Sequence, residues 1–112
     1  MSDRSPGTAA RLVLTTVGDR ASAERLARSL VEERLAACVN LLPGVHSIYR
    51  WKGEVEAGDE IMLVIKTTAS ANAALATRVR ALHPYELPEL VTLDPTGVDP
   101  AYARWIGESV TG

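Results

Sequence analysis

The sequence predicts an α+β domain of ferredoxin-like, split-βαβ architecture. The order is βαββαβ plus a short C-terminal helix, with one antiparallel sheet carrying a long extended hairpin. Three observations predict it. Two stretches, 20–36 and 69–83, carry apolar residues at helical period. Four β-branched, apolar stretches flank them, at 11–17, 37–52, 54–67 and 88–94. The chain has 112 residues, enough for one core and not for two.

Residues 11–17, RLVLTTV, read as a buried strand, and Gly18-Asp19 ends it. Asp19 suits an N-cap for the helix that follows. In that helix Ala23, Leu26, Ala27, Leu30, Val31 and Leu35 form one stripe, while Glu24, Arg28 and Glu32 lie opposite, spaced for i,i+4 pairing. Residues 37–52, ACVNLLPGVHSIYRWK, are β-rich, and Lys52-Gly53 suits a tight hairpin turn. The returning strand, 54–67, contains Gly58-Asp59, which predicts a bulge. Its residues Ile61 to Ile65 are apolar throughout, so both faces call for cover. The second helix, over 69–83, has the stripe Ala71, Ala74, Leu75, Val79 and Leu82, with Thr67 or Thr68 as its cap. Pro84 bars helical geometry at His83 and ends it. Pro88 can open the last strand, 88–94, as a first-residue proline. Asp99-Pro100 then caps and starts a terminal helix over 99–109.

Composition narrows the function. Apolar residues make up 46% and charged residues 23%, with a net charge of −2 and a pI near 5.6. No concentrated basic face is present, which argues against duplex nucleic acid and anionic membrane surfaces as partners. No apolar run reaches the ~18–20 residues of a membrane span. The first ten residues, MSDRSPGTAA, have no apolar core segment and read as a flexible tail of 1–10, leaving a single domain over 11–112. A cytoplasmic location is expected. The single cysteine, Cys38, leaves no internal disulfide and no CxxC motif. Phosphate-binding loops, GxGxxG and HExxH signatures are also absent.

One length argument reaches beyond the single chain. Extended at ~3.3 Å per residue, 37–52 spans ~50 Å, against a diameter of ~35 Å for a compact domain of this size. Either the chain folds back at Pro43-Gly44, or VHSIYRW overhangs and a second copy covers it. On the overhang Val45, Tyr49 and Trp51 share one face, and Ile48 lies on the other.

RLAACVNLLPGVHSIYRWKGEVE at 34–56, IKTT at 65–68, ALHPYELPEL at 81–90 and YARW at 102–105 resemble the signatures of the CutA family, the divalent-cation tolerance proteins. The match runs from about Leu12 to Ile106. The resemblance implies a ferredoxin-like protomer in a tight homotrimer, similar in architecture to the PII signalling proteins, with hairpins reaching across to neighbours. It implies a role in tolerance of copper and other divalent metals, with copper as the bound metal in some members. It implies no enzymatic activity. Copper ligands proposed for a bacterial member are a first-strand Cys and two adjacent His before the proline. Those positions are Thr15, Leu82 and His83 here, so one donor of three survives. A small anionic ligand held in inter-subunit clefts is the alternative partner.

His83 is therefore the one candidate metal ligand, although the residues themselves favour a helix C-terminal histidine satisfying carbonyls and the dipole. Glu86 and Glu89, three apart in an extended segment, face opposite sides and do not form a local acid/base pair. His46 and Arg50 share one hairpin face. Together with Tyr49, Trp51, Tyr85, Glu86 and Glu89 they are expected at a subunit interface or cleft. Cys38, in an apolar strand, is expected to be a buried, inert thiol.

Overall fold

The computed structural model describes residues 9–111. The tail expected over 1–10 falls almost wholly outside them. Seven elements follow the predicted order: β1 (Ala10–Val17), α1 (Arg20–Glu32), β2 (Cys38–Trp51), β3 (Glu54–Thr68), α2 (Asn72–Leu82), β4 (Val91–Leu93) and α3 (Pro100–Ser109). The four strands form one sheet in the order β2-β3-β1-β4, and all three pairings are antiparallel.

Alternation along the strands puts Val13 and Val17 of β1 and Leu63 and Ile65 of β3 on the face that receives the helices. There they meet Leu26 and Leu30 of α1 and Leu75 and Val79 of α2 in one core. A smaller cluster of Ala71, Ile106 and Val110 seats α3. The opposite sheet face is not covered within the chain. Register places Leu12 and Leu14 beside Met62 and Val64, with Leu42, Val91 and Leu93 on the same side, and the last three are exposed.

The cap of α1 forms as predicted, with the Asp19 carboxylate accepting from the Ser22 backbone N–H at 2.8 Å. The far end differs from the expected 36. The helix stops at Glu32, because Arg34 takes a left-handed φ of 61° and turns the chain. The N–H groups of Leu35 and Ala36 then return to the Leu30 carbonyl. Leu35 and Ala36 continue the apolar stripe only because they enter the core from the turn. Arg34 also donates to the Glu108 carbonyl at 2.8 Å and accepts from the Thr111 N–H, pinning the end of α3. The second helix begins at Asn72 and not at 69. Residue 71 has no side-chain cap bond, although Thr68 Oγ1 accepts from the Ala71 N–H at 3.3 Å. Ala74 faces solvent and leaves the predicted stripe. Helix α2 ends at Leu82, with His83 extended at ψ 136°, as Pro84 requires. The fourth strand is only three residues long.

The hairpin turn has positive φ at both Lys52 and Gly53, the primed geometry that matches strand twist. The bulge lies elsewhere than expected. Gly58 pairs with Ser47 in ordinary register, whereas Leu42 faces Met62 and Val45 faces Glu60. Pro43 and Gly44 together oppose Ile61, and Gly44 adopts φ 83°. Proline has no N–H to lose to the ladder, and β2 is an edge strand, so the irregularity settles there. The hairpin does not fold back at this point. It continues outward and gives the molecule extents of 48 × 26 × 22 Å. Ile48 and Val55, 70% and 66% exposed, mark its uncovered end.

Candidate functional site

The richest polar cluster forms where the hairpin leaves the body. Glu60 lies one residue beyond the bulge partner Ile61, past the end of β1, whose last residue Val17 pairs with Ile61. The Tyr85 hydroxyl, on the segment after α2, donates to Glu60 Oε2 at 2.8 Å. Burial alone would raise the Glu60 pKa. Hydrogen bonding from the hydroxyls of Ser47, Tyr85 and Thr16, with the nearby His83, outweighs burial and leaves the carboxyl below its ordinary value. Tyr85 responds in the opposite sense. Burial, its bond to Glu60, and the nearby Tyr49 and Asp19 push its phenol up, so it remains a donor. Gly18 permits this approach, since a Cβ there would lie 3.2 Å from the Tyr85 hydroxyl oxygen.

His83 anchors the same segment. Its Nε2 lies 2.9 Å from the Thr16 carbonyl oxygen, and its Nδ1 lies 3.1 Å from the Tyr85 backbone nitrogen. A carbonyl only accepts and a backbone N–H only donates. The ring is therefore the neutral tautomer with its proton on Nε2. Burial is the main cause of its lowered pKa, partly opposed by the Thr16 bond and by Glu60. The ring also packs against Tyr85 at a 4.8 Å centroid separation. These contacts serve a structural purpose that sequence spacing could only suggest.

The proposed copper positions do not make a copper site within this protomer. Leu82 offers no donor atom. The Thr15 side chain is buried at 0% exposure, and its hydroxyl has no hydrogen-bond partner among the described residues. A neutral hydroxyl is a poor donor for a borderline metal. Both His83 nitrogens are engaged, so coordination requires the loss of one hydrogen bond. Among the described residues no group of three or more His, Cys, Asp or Glu could hold an ion.

The remaining predicted residues divide between the two hairpin faces. Register sets Tyr49 and Trp51 on the Glu60 side, and His46, Ile48 and Arg50 on the other. His46 Nδ1 lies 2.9 Å from Asp59 Oδ1, its cross-strand partner. Arg50 donates to the Gly53 carbonyl of its own turn at 3.2 Å. Lys52 Nζ sits 5.4 Å from the Trp51 ring centroid. Glu86 is exposed and Glu89 half-buried. Cys38 is half-buried and not buried, because it lies on the uncovered sheet face, where Lys66 Nζ approaches its sulfur at 4.0 Å and also donates to Asn40 Oδ1.

The structure brings together His83 and Tyr85, sets Tyr49 on the same hairpin face as Glu60, and adds two residues that spacing alone does not select, Glu60 and Gly18. The available signal for Glu60 was a carboxylate directly preceding the apolar run Ile61–Ile65. The signal for Gly18 was lost in its reading as a strand terminator.

Comparison with known proteins gives one family throughout. Residues 11–109 match the family described as CutA1 divalent ion tolerance protein. The chain is 46% identical over 110 residues to the divalent-cation tolerance protein CutA of Pectobacterium atrosepticum, covering 98% of this chain and 99% of the relative. It is 49% identical over 98 residues to the protein of the same name from Thermus thermophilus, covering 88% and 95%. The crystal structure of CutA from Xylella fastidiosa superposes with a TM-score of 0.89 at 46% identity, covering 92% of this chain and 99% of that one. Names of more distant relatives vary in compartment: one from Arabidopsis thaliana is called chloroplastic, and one from Archaeoglobus fulgidus periplasmic.

Proposed function

Since the chain belongs to the CutA1 family of divalent ion tolerance proteins, we propose that it acts in divalent-cation tolerance as a non-catalytic homotrimer in the cytoplasm. The observation that carries the trimer is the uncovered hairpin and sheet. Ile48, Tyr49 and Val55 on the hairpin, with Leu42, Val91 and Leu93 on the open face, present apolar surface on two sides. Exposed apolar strands that remain soluble need a cover, and closed symmetric assembly of identical chains supplies one. In that assembly His46, Tyr49, Arg50, Trp51, Tyr85, Glu86 and Glu89 face or border neighbouring protomers. No helix is long and apolar enough to cross a membrane among the described residues. The absence of a basic face keeps nucleic acid off the list of partners.

Copper enters this reading only through His83, with donors from a neighbour completing the set and one His83 hydrogen bond given up. The alternative of a small anion in the clefts has less support, because His46 already faces Asp59 and Arg50 donates to its own turn. Multi-angle light scattering tests the trimer: three times the 12.0 kDa chain mass is expected, and a stable single chain overturns it. Calorimetric titration with Cu(II) tests the ligand. Binding weakened by His83→Ala supports His83; binding of equal strength in that variant removes it.

A further inference from the structure

We infer that Glu60 locks the joint between the long hairpin and the body, and that Tyr85 couples this lock to the 83–90 segment. The bulge at Pro43-Gly44 is the only register shift in the β2–β3 ladder, so it is where the hairpin can pivot. Beyond it the hairpin has no third strand beside it, since β1 pairs only with residues 61–68 of β3. Two strands alone are marginal in water. Something else must set the angle at which the hairpin leaves the body.

Glu60 sits at that place. It is the first β3 residue past the β1 pairing and the first to pair beyond the bulge, opposite Val45. Its carboxylate accepts from the Tyr85 hydroxyl after α2 at 2.8 Å, and the hydroxyls of Thr16 on β1 and Ser47 on the outer part of β2 lie near enough to help lower its pKa. Thr16 belongs to the body, Ser47 to the outer arm and Tyr85 to the loop after α2. Such charge-assisted hydrogen bonds are stronger than neutral ones. The loop end of the lock is itself fixed. His83 ties it to the Thr16 carbonyl and to the Tyr85 N–H, and the absence of a side chain at Gly18 admits the Tyr85 hydroxyl.

The consequence is coupling between two surfaces. A partner that draws Tyr85 away from Glu60 releases the hairpin, and a partner that holds the hairpin favours the docked loop. Coupling of this kind is reciprocal. The lock concerns the arm of each chain and does not rest on the metal reading.

Amide hydrogen exchange on the intact protein, with light scattering on the same samples, tests it. Glu60→Ala removes the acceptor of the Tyr85 bond and the charge that the Thr16 and Ser47 hydroxyls face. Exchange is expected to accelerate about tenfold or more over 43–49 and 83–87, with α1 and the inner part of β3 unchanged. Glu60→Gln, which can still accept a hydrogen bond, restores part of the protection. Tyr85→Phe keeps the ring and accelerates the same two segments to a lesser degree. It serves as the decisive variant where Glu60→Ala fails to fold. Unchanged exchange over 43–49 in both Glu60→Ala and Tyr85→Phe overturns the lock. Acceleration spread evenly through α1 overturns it too, as does exchange no faster than in wild-type protein diluted to single chains. The last outcome would reveal lost assembly as the cause, which the scattered-light mass reports separately.

Discussion

The two halves of the β2–β3 ladder are built from the same kind of sequence and meet different fates. The inner half, Cys38–Leu42 against Met62–Lys66, has β1 beside it and helices above it. Leu63 and Ile65 there are wholly buried. The outer half, Val45–Trp51 against Glu54–Glu60, keeps the same strand pairing but has neither neighbour. Its Ile48 and Val55 stand in solvent. Strand propensity is thus shared, and burial is not. What separates the halves is the end of β1 at Val17, a property of another element. Pairing follows from local sequence, whereas stability follows from what covers the pair.

The sharpest way to break the inner half is to empty its core. Leu63→Ala is expected to cost about 2–5 kcal/mol, from lost burial plus the cavity left between β3 and α1. Chemical denaturation measures it, and a cost below ~1 kcal/mol would mean the inner half is less tightly packed than its burial indicates. The outer half is more sensitive at its turn. Gly53→Ala forces a side chain into a φ of 85° and strains the turn by about 1–2 kcal/mol. That strain is expected to appear as faster amide exchange over 48–57, with the global midpoint moving less than in Leu63→Ala.

Acidification probes the joint between the halves. The folded His83 pKa lies below its ordinary 6.5, so the unfolded chain takes up a proton first. Its contribution is present above 6.5 and lost as pH falls toward the folded value. Glu60 is also lowered, from 4.5, and its contribution is lost as pH falls below that point. Denaturant midpoints measured from pH ~7.5 to ~2.5 should therefore decline in two steps. Removing the first step by His83→Gln would assign it. The smallest effect on the protomer itself is expected from Ile48→Ser, under ~0.5 kcal/mol because the side chain is already exposed. In the proposed homotrimer the same change should lower the scattered-light mass at low protein concentration, since a neighbouring chain would cover that residue.

The helices and their limits were partly legible. Asp19 as a cap, Pro84 as a stop and Asp99-Pro100 as a start each act through the backbone of their own neighbourhood. The end of α1 was not legible, because Leu35 and Ala36 continue an apolar stripe that the left-handed Arg34 has already turned out of the helix. The bulge was misplaced for a related reason. Gly58 can bend a strand, but Pro43-Gly44 does so at lower cost, because an edge-strand proline gives up no ladder bond. At the candidate site His83 and Tyr85 could be selected from sequence. Glu60 could not, as its place there arises from a bond to a hydroxyl 25 positions away along the chain.

By itself the sequence determined the element order, the caps at Asp19 and Asp99, the tight hairpin turn and the excess length of the hairpin. All of these depend on local periodicity, backbone permission and the fixed rise of an extended strand. The tertiary structure alone decided that the hairpin runs outward past Pro43-Gly44, that both nitrogens of His83 are already engaged, and that Glu60 accepts from Tyr85 at the joint. Those outcomes depend on which distant groups meet once the sheet has formed, and hydrogen bonds between groups far apart in the chain leave no local pattern to read.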